Sequence, residues 1–152
     1  MKWLNNPASL EQALHTVLKA LVPVSCTELV PLSQACGRVL GYNLHALLDV
    51  PPFDRAAMDG YAVKSIDTCK ASESEPVTLT CCGSIFAGST ANPPLKSGEC
   101  YYIATGAMLP DDADAVVRVE DTLTQGNSVE VSRAVNSQEN TAAAGEDIRK
   151  GA

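Results

Sequence analysis

The pattern of apolar and polar residues changes at the Pro-Pro pair of residues 51–52, and this change limits the possible folds of the chain. After this pair, apolar and polar residues alternate over residues 77–82. Further short apolar segments follow at residues 100–104, 115–119 and 129–131. Segments rich in Gly, Pro, Asp and Asn separate them and are typical of turns. Short strands that follow one another without intervening helices predict a small antiparallel barrel or sandwich.

The N-terminal part of the chain predicts a helix instead. Ser9 and Gln12 form a capping-box pattern, and Pro23 ends the helical spacing of the apolar residues that follow. These residues are Leu10, Ala13, Leu14, Val17, Leu18 and Leu21. A short strand over residues 26–32 and a short helix over residues 34–40 are expected next. His15 falls on the polar face of the first helix, so we interpret it as a solvated residue rather than a metal ligand.

Together these patterns predict an α+β fold with two parts. Residues 1–50 form an N-terminal helix and a small mixed α/β layer, which residues 136–152 are expected to complete. Residues 51–135 form a β-rich domain that resembles a barrel or sandwich.

The charge of the chain limits its partners. It carries 11 basic and 18 acidic side chains, which give a formal net charge of −7. Non-specific attraction to nucleic acid or to an anionic membrane is therefore not expected. No apolar run approaches the roughly 20 residues that cross a membrane, and the N-terminus lacks the apolar core of a signal peptide. We expect a cytoplasmic protein with reduced thiols.

The cysteines follow no metal-binding pattern. None of the six forms a C-x-x-C pair, and with only two histidines the spacing fits no standard zinc site. The adjacent Cys81 and Cys82 are interpreted as strand residues that point to opposite faces. A redox role is the less favoured alternative for this pair.

Three segments carry side chains that could do chemistry. In the first, Asp59 is followed by Gly60, and on the residues alone we favour a turn in which Asp59 bonds its own backbone. In the second, Thr105 and Gly106 follow an apolar strand, where a hydroxyl and bare backbone N–H groups can face an oxyanion.

The third segment is Gly145-Glu146-Asp147. Adjacent carboxylates of this kind can bind a hard cation, although a solvated loop is the stronger interpretation without further context. The nearby carboxylates Asp111, Asp112 and Asp114 are interpreted as turn-forming surface residues.

In this order, the three segments resemble the MoeA family of molybdenum-cofactor biosynthesis proteins, which includes the E domain of gephyrin. Residues 52–63, PFDRAAMDGYAV, match the family signature P-x-F-D-N-S-A-M-D-G-Y-A. Arg55 and Ala56 replace the usual Asn and Ser, which adds a cation and removes a hydroxyl near Asp59. Further matches run from the capped helix to residues 145–148, so the resemblance covers essentially the whole chain.

The resemblance implies insertion of molybdenum from molybdate into molybdopterin, which is supplied as an adenylylated intermediate, with Mg²⁺ assisting. It implies that Asp59, Thr105 and Asp147 belong to the active-site cleft. Asp59 would orient the metal or its bound water, Thr105 would bond an oxyanion, and Asp147 would give electrostatic support. Gly60 and Gly106 are expected to lie against the bound cofactor.

Family members are longer and form elongated homodimers, with a Rossmann-like molybdopterin-binding domain and a C-terminal β domain downstream. This chain of 152 residues is therefore expected to supply part of the cleft and to be inactive alone. Its first helix is expected to be under-buried and to promote self-association. A molybdopterin adenylyltransferase-type protein is an implied partner.

Two other functions stay open. The first is a non-catalytic dimerisation or binding module in cofactor assembly. The second is an independent Asp-dependent hydrolase, which is least favoured because no partner base or nucleophile is visible in the sequence.

Overall fold

The computed structural model describes residues 8–89 and 93–152. The chain divides between Asn43 and Leu44 into two compact units. No helix in the described part of the chain is long and apolar enough to cross a membrane.

The first unit contains the predicted helix. Helix α1 spans Leu10–Ala20, and Ser9 caps it. The Ser9 hydroxyl accepts the Gln12 N–H at 3.2 Å, and the Gln12 side-chain oxygen accepts the Ser9 N–H at 3.0 Å. This reciprocal pair satisfies two backbone donors that the first turn leaves without partners, which confirms the predicted capping box.

Two other predictions for this unit are wrong. Residues 26–32 form no strand, and one turn of 3-10 helix at Leu32–Gln34 replaces the helix expected over residues 34–40. Pro31 lacks an N–H, and the unit offers no neighbouring strand among its described residues. Gly37 adopts a φ of +78°, which is incompatible with a continuing right-handed helix.

The second unit is built on a six-stranded sheet in the order β5-β2-β4-β3-β7-β6. Its strands are β2 (Gly60–Val63), β3 (Val77–Ile85), β4 (Glu99–Ile103), β5 (Ala115–Arg118), β6 (Thr122–Gln125) and β7 (Ser128–Val131). Helix α2 is one short turn, Ser65–Thr68. A separate two-stranded sheet pairs β1 (Arg55–Ala56) with β8 (Thr141–Ala142).

The expectation of a wholly antiparallel sheet is wrong at one pair, because β3 and β4 run parallel. Residues 86–98 connect them, which is long enough for the crossover of about a dozen residues that a parallel pair requires. The sheet also curls. The hydroxyls of Tyr61 on β2 and Thr124 on β6 are 2.7 Å apart, although three strands lie between β2 and β6. The result is the predicted α+β fold with a β-rich half-barrel.

Both faces of β2 and β5 are buried. One apolar cluster includes Tyr61, Val63 and Val117, and a second includes Ala62 and Val116 on the opposite faces of the same strands. The second cluster also contains residues of the segments that surround the candidate site: Ala56, Ala107 and Leu109.

The C-terminal residues contact the segment that begins the second unit. The Val50 N–H donates to the Ile148 carbonyl at 2.8 Å, and the Ala46 N–H donates to the Ala152 carbonyl at 3.0 Å. The second unit therefore begins at Leu44, before the boundary expected at residue 50. The assignment of residues 1–50 and 136–152 to one layer stays a prediction.

Candidate functional site

The side chain of Asp59 is held by Thr105. Oδ1 of Asp59 accepts the Thr105 N–H at 2.7 Å and the Thr105 hydroxyl at 2.8 Å. Asp59 directly precedes β2 and Thr105 lies just after β4, and these strands pair antiparallel with Gly60 opposite Ile103. Antiparallel pairing thus brings together two residues that are 46 positions apart in sequence. The interpretation of Asp59 as a residue that bonds its own turn is wrong.

Gly60 is required by packing. A Cβ atom at this position would lie 2.0 Å from the carbonyl oxygen of Val117 and 3.0 Å from the Cα of Arg118. Only glycine lets the backbone after Asp59 approach β5 this closely. The sheet itself therefore explains this glycine, and its expected contact with a cofactor stays a prediction.

The backbone N–H groups after β4 are already bonded within the protein. The Gly106 N–H donates to the Ala56 carbonyl at 2.8 Å, and the Ala107 N–H donates to the Ala104 carbonyl at 3.0 Å. The Thr105 N–H donates to Asp59. The expectation that bare N–H groups here face an oxyanion is therefore wrong. Gly106 has a φ of +81°, and nothing lies within 4 Å of the position that a Cβ would take.

These bonds favour the ionised form of Asp59. The Thr105 N–H, and then the Thr105 hydroxyl, hold the pKa of Asp59 below its ordinary value. Asp59 is exposed, and no donor in residues 8–89 or 93–152 bonds Oδ2. One carboxylate oxygen is thus fixed by the protein, and the other is open to a ligand.

The two departures from the signature lie on β1. Ala56 is buried in the second apolar cluster, so a methyl group suits its surroundings. Arg55 is half-buried, and its backbone lies between Ala142 and Met108. None of the described carboxylates lies within ion-pair distance of Arg55.

Asp147 contacts a different part of the chain from Asp59 and Thr105. It is exposed, and its N–H donates to the Val50 carbonyl at 2.9 Å. No hydrogen bond joins Asp147 to Asp59 or Thr105 in the described part of the chain. The structure therefore brings together two of the three predicted catalytic residues, and the role of Asp147 stays a prediction.

Sequence reasoning missed the structural role of Asp114. Its carboxylate accepts the Ser65 N–H at 2.6 Å and the Ser65 hydroxyl at 2.7 Å, so it ties β5 to α2. Burial raises the pKa of Asp114, but the Ser65 bonds, together with smaller contributions from Ser137 and the Asp114 backbone, outweigh that effect and hold the pKa below its ordinary value. The interpretation of Asp114 as a simple surface residue is wrong, and only its position before an apolar strand could have signalled this role.

Asp114 also lines a cavity of about 350 Å³ together with Asp54 and Glu146. All three carboxylates accept backbone N–H groups: Asp114 from Ser65 at 2.6 Å, Asp54 from Ala144 at 2.7 Å, and Glu146 from Ala143 at 3.1 Å. Among the described residues, no group of three or more His, Cys, Asp or Glu is arranged to hold a metal ion. The carboxylates of the cavity therefore order the surrounding loops.

Similarity to known proteins extends over nearly the whole chain. Residues 8–152 match the family described as MoeA N-terminal region (domain I and II). A molybdopterin molybdenumtransferase of Synechococcus elongatus is 36% identical over 151 residues, which are 97% of this chain and 36% of that protein. A molybdopterin molybdenumtransferase 2 of Mycobacterium tuberculosis is 36% identical over 93% of this chain and 34% of its own length.

A solved structure shares the fold. The molybdopterin biosynthesis moeA protein of Pyrococcus horikoshii OT3 matches with a TM-score of 0.82 and 38% identity. The match covers 93% of this chain and 38% of that one. The chain thus spans little more than a third of the relatives that it matches.

Proposed function

This chain belongs to the MoeA family, to whose N-terminal region it corresponds, and from that premise we propose that it takes part in inserting molybdenum from molybdate into adenylylated molybdopterin. The observation that carries the proposal is the Asp59 carboxylate, ionised and oriented by Thr105. The curated relatives are named molybdopterin molybdenumtransferases, which supports a role in molybdenum-cofactor biosynthesis.

The geometry supports distinct roles for the two residues. Both Thr105 donors bond Oδ1 of the exposed Asp59, and no donor among the described residues bonds Oδ2. We assign Asp59 the contact with substrate or metal. Thr105 is a positioning residue that acts through Asp59, rather than an oxyanion donor. Preorganised charge of this kind contributes to catalysis because it needs no reorganisation during the reaction.

The family also implies Mg²⁺, and the donor set fits a shared site. Mg²⁺ is usually held by one or two carboxylates together with substrate phosphates and water. Oδ2 of Asp59 offers one such oxygen, exposed and without a donor among the described residues. Asp59 would hold the ion, and Mg²⁺ when bound would neutralise phosphate charge. The rest of the coordination would come from substrate, water and other parts of the cleft.

We propose that the chain provides part of the cleft and is inactive by itself. It spans little more than a third of its relatives, and of the three predicted catalytic residues the structure brings together only Asp59 and Thr105. Catalysis depends on complete positioning of both substrates, so a partial cleft forfeits most of the acceleration. The remaining residues would come from downstream domains and from a second subunit of a homodimer.

The test is a chimaera in which residues 1–152 replace the corresponding region of the Synechococcus elongatus relative. Asp59→Asn removes the charge at nearly constant shape and is expected to lower molybdate-dependent molybdenum insertion by about 100-fold, the scale of a lost catalytic group. The matched control is Asp112→Asn, since Asp112 is an exposed turn residue with a φ of 69°. Activity in Asp59→Asn equal to that of the control would defeat the assignment.

A non-catalytic binding module is the second candidate, favoured by helix α1. All its residues are exposed, including Leu14, Val17 and Leu18. Such a surface suits association with another chain. An active chimaera that loses activity on Asp59→Asn would exclude this candidate, whereas a chimaera that assembles and is indifferent to Asp59→Asn would favour it.

A further inference from the structure

Two thiols lie opposite each other on neighbouring strands of the main sheet. Cys81 of β3 and Cys100 of β4 are register partners in the parallel pair. Adjacent strands lie about 4.8 Å apart. A disulfide joins Cα atoms roughly 4.4–6.8 Å apart, so this pairing meets the backbone requirement for a disulfide.

The two side chains also share a face. Cys100 is fully buried in the first apolar cluster, and Cys81 packs against the same cluster while half-exposed. The Cys81 thiol donates to the Gly83 carbonyl at 3.4 Å, and it lies near enough to Cys100 to help raise the pKa of that thiol. The exposed Cys82 thiol donates to the Thr80 carbonyl at 3.6 Å, consistent with its predicted place on the other face.

The strand is irregular next to the pair. The register of β3 against β4 shifts between Cys81 and Ser84, so Cys81 belongs to the last regular pair before the shift. A local break in the ladder bends the strand. Fewer inter-strand hydrogen bonds therefore hold the backbone of β3 against β4 just beyond Cys81.

We propose that Cys81 and Cys100 form a modification site for low-molecular-weight disulfides such as glutathione disulfide, and that they close into an intrachain disulfide. The less favoured redox interpretation of Cys81 and Cys82 thus applies to a different pair. Cys81 reacts first because its thiol is the accessible one. The deeper Cys100 is the resolving thiol.

The chemistry proceeds in two exchanges. The Cys81 thiolate attacks one sulfur of glutathione disulfide, which forms a mixed disulfide and releases one glutathione thiolate. Cys100 then loses its proton to solvent, and its thiolate attacks the Cys81 sulfur. The second glutathione leaves as a thiolate and takes up a proton. Two protein thiols are oxidised, and one glutathione disulfide is reduced to two glutathione molecules.

The second exchange is the slow one. Burial raises the pKa of the Cys100 thiol to about 12, and the neighbouring Cys81 adds to this effect. Only the thiolate is a nucleophile, so little of Cys100 is reactive at neutral pH. A glutathione adduct on Cys81 is therefore expected to appear before the disulfide.

The experiment uses the 152-residue chain with the exposed Cys26, Cys36 and Cys69 replaced by Ser. Only the thiols of the sheet strands β3 and β4 then contribute to the measured mass changes and thiol counts. The protein is incubated in glutathione and glutathione disulfide mixtures, and intact mass and free thiols are measured. Adding Cys82→Ser, an exposed substitution, leaves Cys81 and Cys100 as the sole pair. In that variant we expect loss of both thiols and of two hydrogen masses, after a transient glutathione adduct.

The matched variant is Cys100→Ala, which is expected to stop at the glutathione adduct on Cys81. Closure in Cys82→Ser together with arrest in Cys100→Ala supports the proposal. No closure in Cys82→Ser at any glutathione ratio overturns it, with circular dichroism confirming that the variant is folded. A Cys81–Cys82 bond in place of the Cys81–Cys100 bond also overturns it. None of these outcomes depends on molybdenum insertion.

Discussion

At the scale of single residues, the bonds from Thr105 to Asp59 explain both the direction of the carboxylate and its acidity. The backbone N–H of Thr105 lowers the pKa of Asp59 most, and the hydroxyl adds a smaller part. A lowered folded-state pKa stabilises the fold above the ordinary pKa of the carboxyl. That contribution is lost as the pH falls through the lowered value.

Thr105→Val removes the hydroxyl bond and keeps the backbone bond. We expect the pKa of Asp59 to rise in this variant but to stay below its ordinary value, measured by carboxyl-carbon NMR titration. Thr122→Val is the control, because the Thr122 hydroxyl bonds the Val119 carbonyl and not Asp59. An Asp59 pKa that is the same in Thr105→Val and in the parent would show that the hydroxyl bond is absent in solution.

The second residue-scale prediction concerns Gly60. Because its Cβ would lie 2.0 Å from the Val117 carbonyl oxygen, Gly60→Ala must separate β2 from β5. We expect it to lower the free energy of unfolding by about 3 kcal/mol, the upper range for overpacking. The measurement is urea denaturation.

Gly98→Ala is the matched control for Gly60→Ala. Gly98 has a φ of +79° and nothing near its Cβ position, so the only cost is backbone strain, about 1 kcal/mol. Equal losses in the two variants would mean that the close approach of Val117 to Gly60 does not exist.

At the scale of elements, local sequence patterns predicted the helix and most of the strands. The capping box and helical spacing identified α1, and alternation or apolar runs identified β3, β4, β5 and β7. Strand β2 was missed because it is short and buried on both faces, so it shows no alternation. Strand β6 was missed because it consists mainly of polar residues.

Tertiary pairing could not be predicted from local pattern. The parallel alignment of β3 and β4 depends on a long connection, and the contact between Asp59 and Thr105 depends on β2 and β4 being neighbours. Resemblance to the family, and not spacing, pointed to these two residues together. The bonds of the N–H groups at Gly106 and Ala107 also depend on the tertiary fold.

Helix α1 carries the element-scale prediction. Its apolar residues Leu14, Val17 and Leu18 are all more than half exposed, so we expect the chain to self-associate through this face. Leu14→Glu is expected to shift the chain to monomer in sedimentation equilibrium. His15→Glu, on the polar face, is expected to leave association unchanged. A parent chain that is monomeric at every concentration would contradict the prediction that this face mediates self-association.

At the scale of the whole molecule, the chain has an α+β fold, belongs to the MoeA family and spans little more than a third of its relatives. Thr105 orients the Asp59 carboxylate beside the sheet, whereas the backbone of Asp147 bonds Val50. This division fits a cleft completed by residues from elsewhere. The departures at Arg55 and Ala56 leave the Asp59 and Thr105 contact intact.

The central claim is that the Asp59 carboxylate contacts substrate or metal and that Thr105 acts by positioning Asp59. The most direct measurement is a double-mutant cycle of molybdate-dependent activity in the chimaera, with Asp59→Asn, Thr105→Val and the double variant. We predict that Thr105→Val lowers activity when Asp59 is present and has no further effect once Asp59 is Asn. Losses that simply add would contradict the account, because Thr105 would then act independently of Asp59.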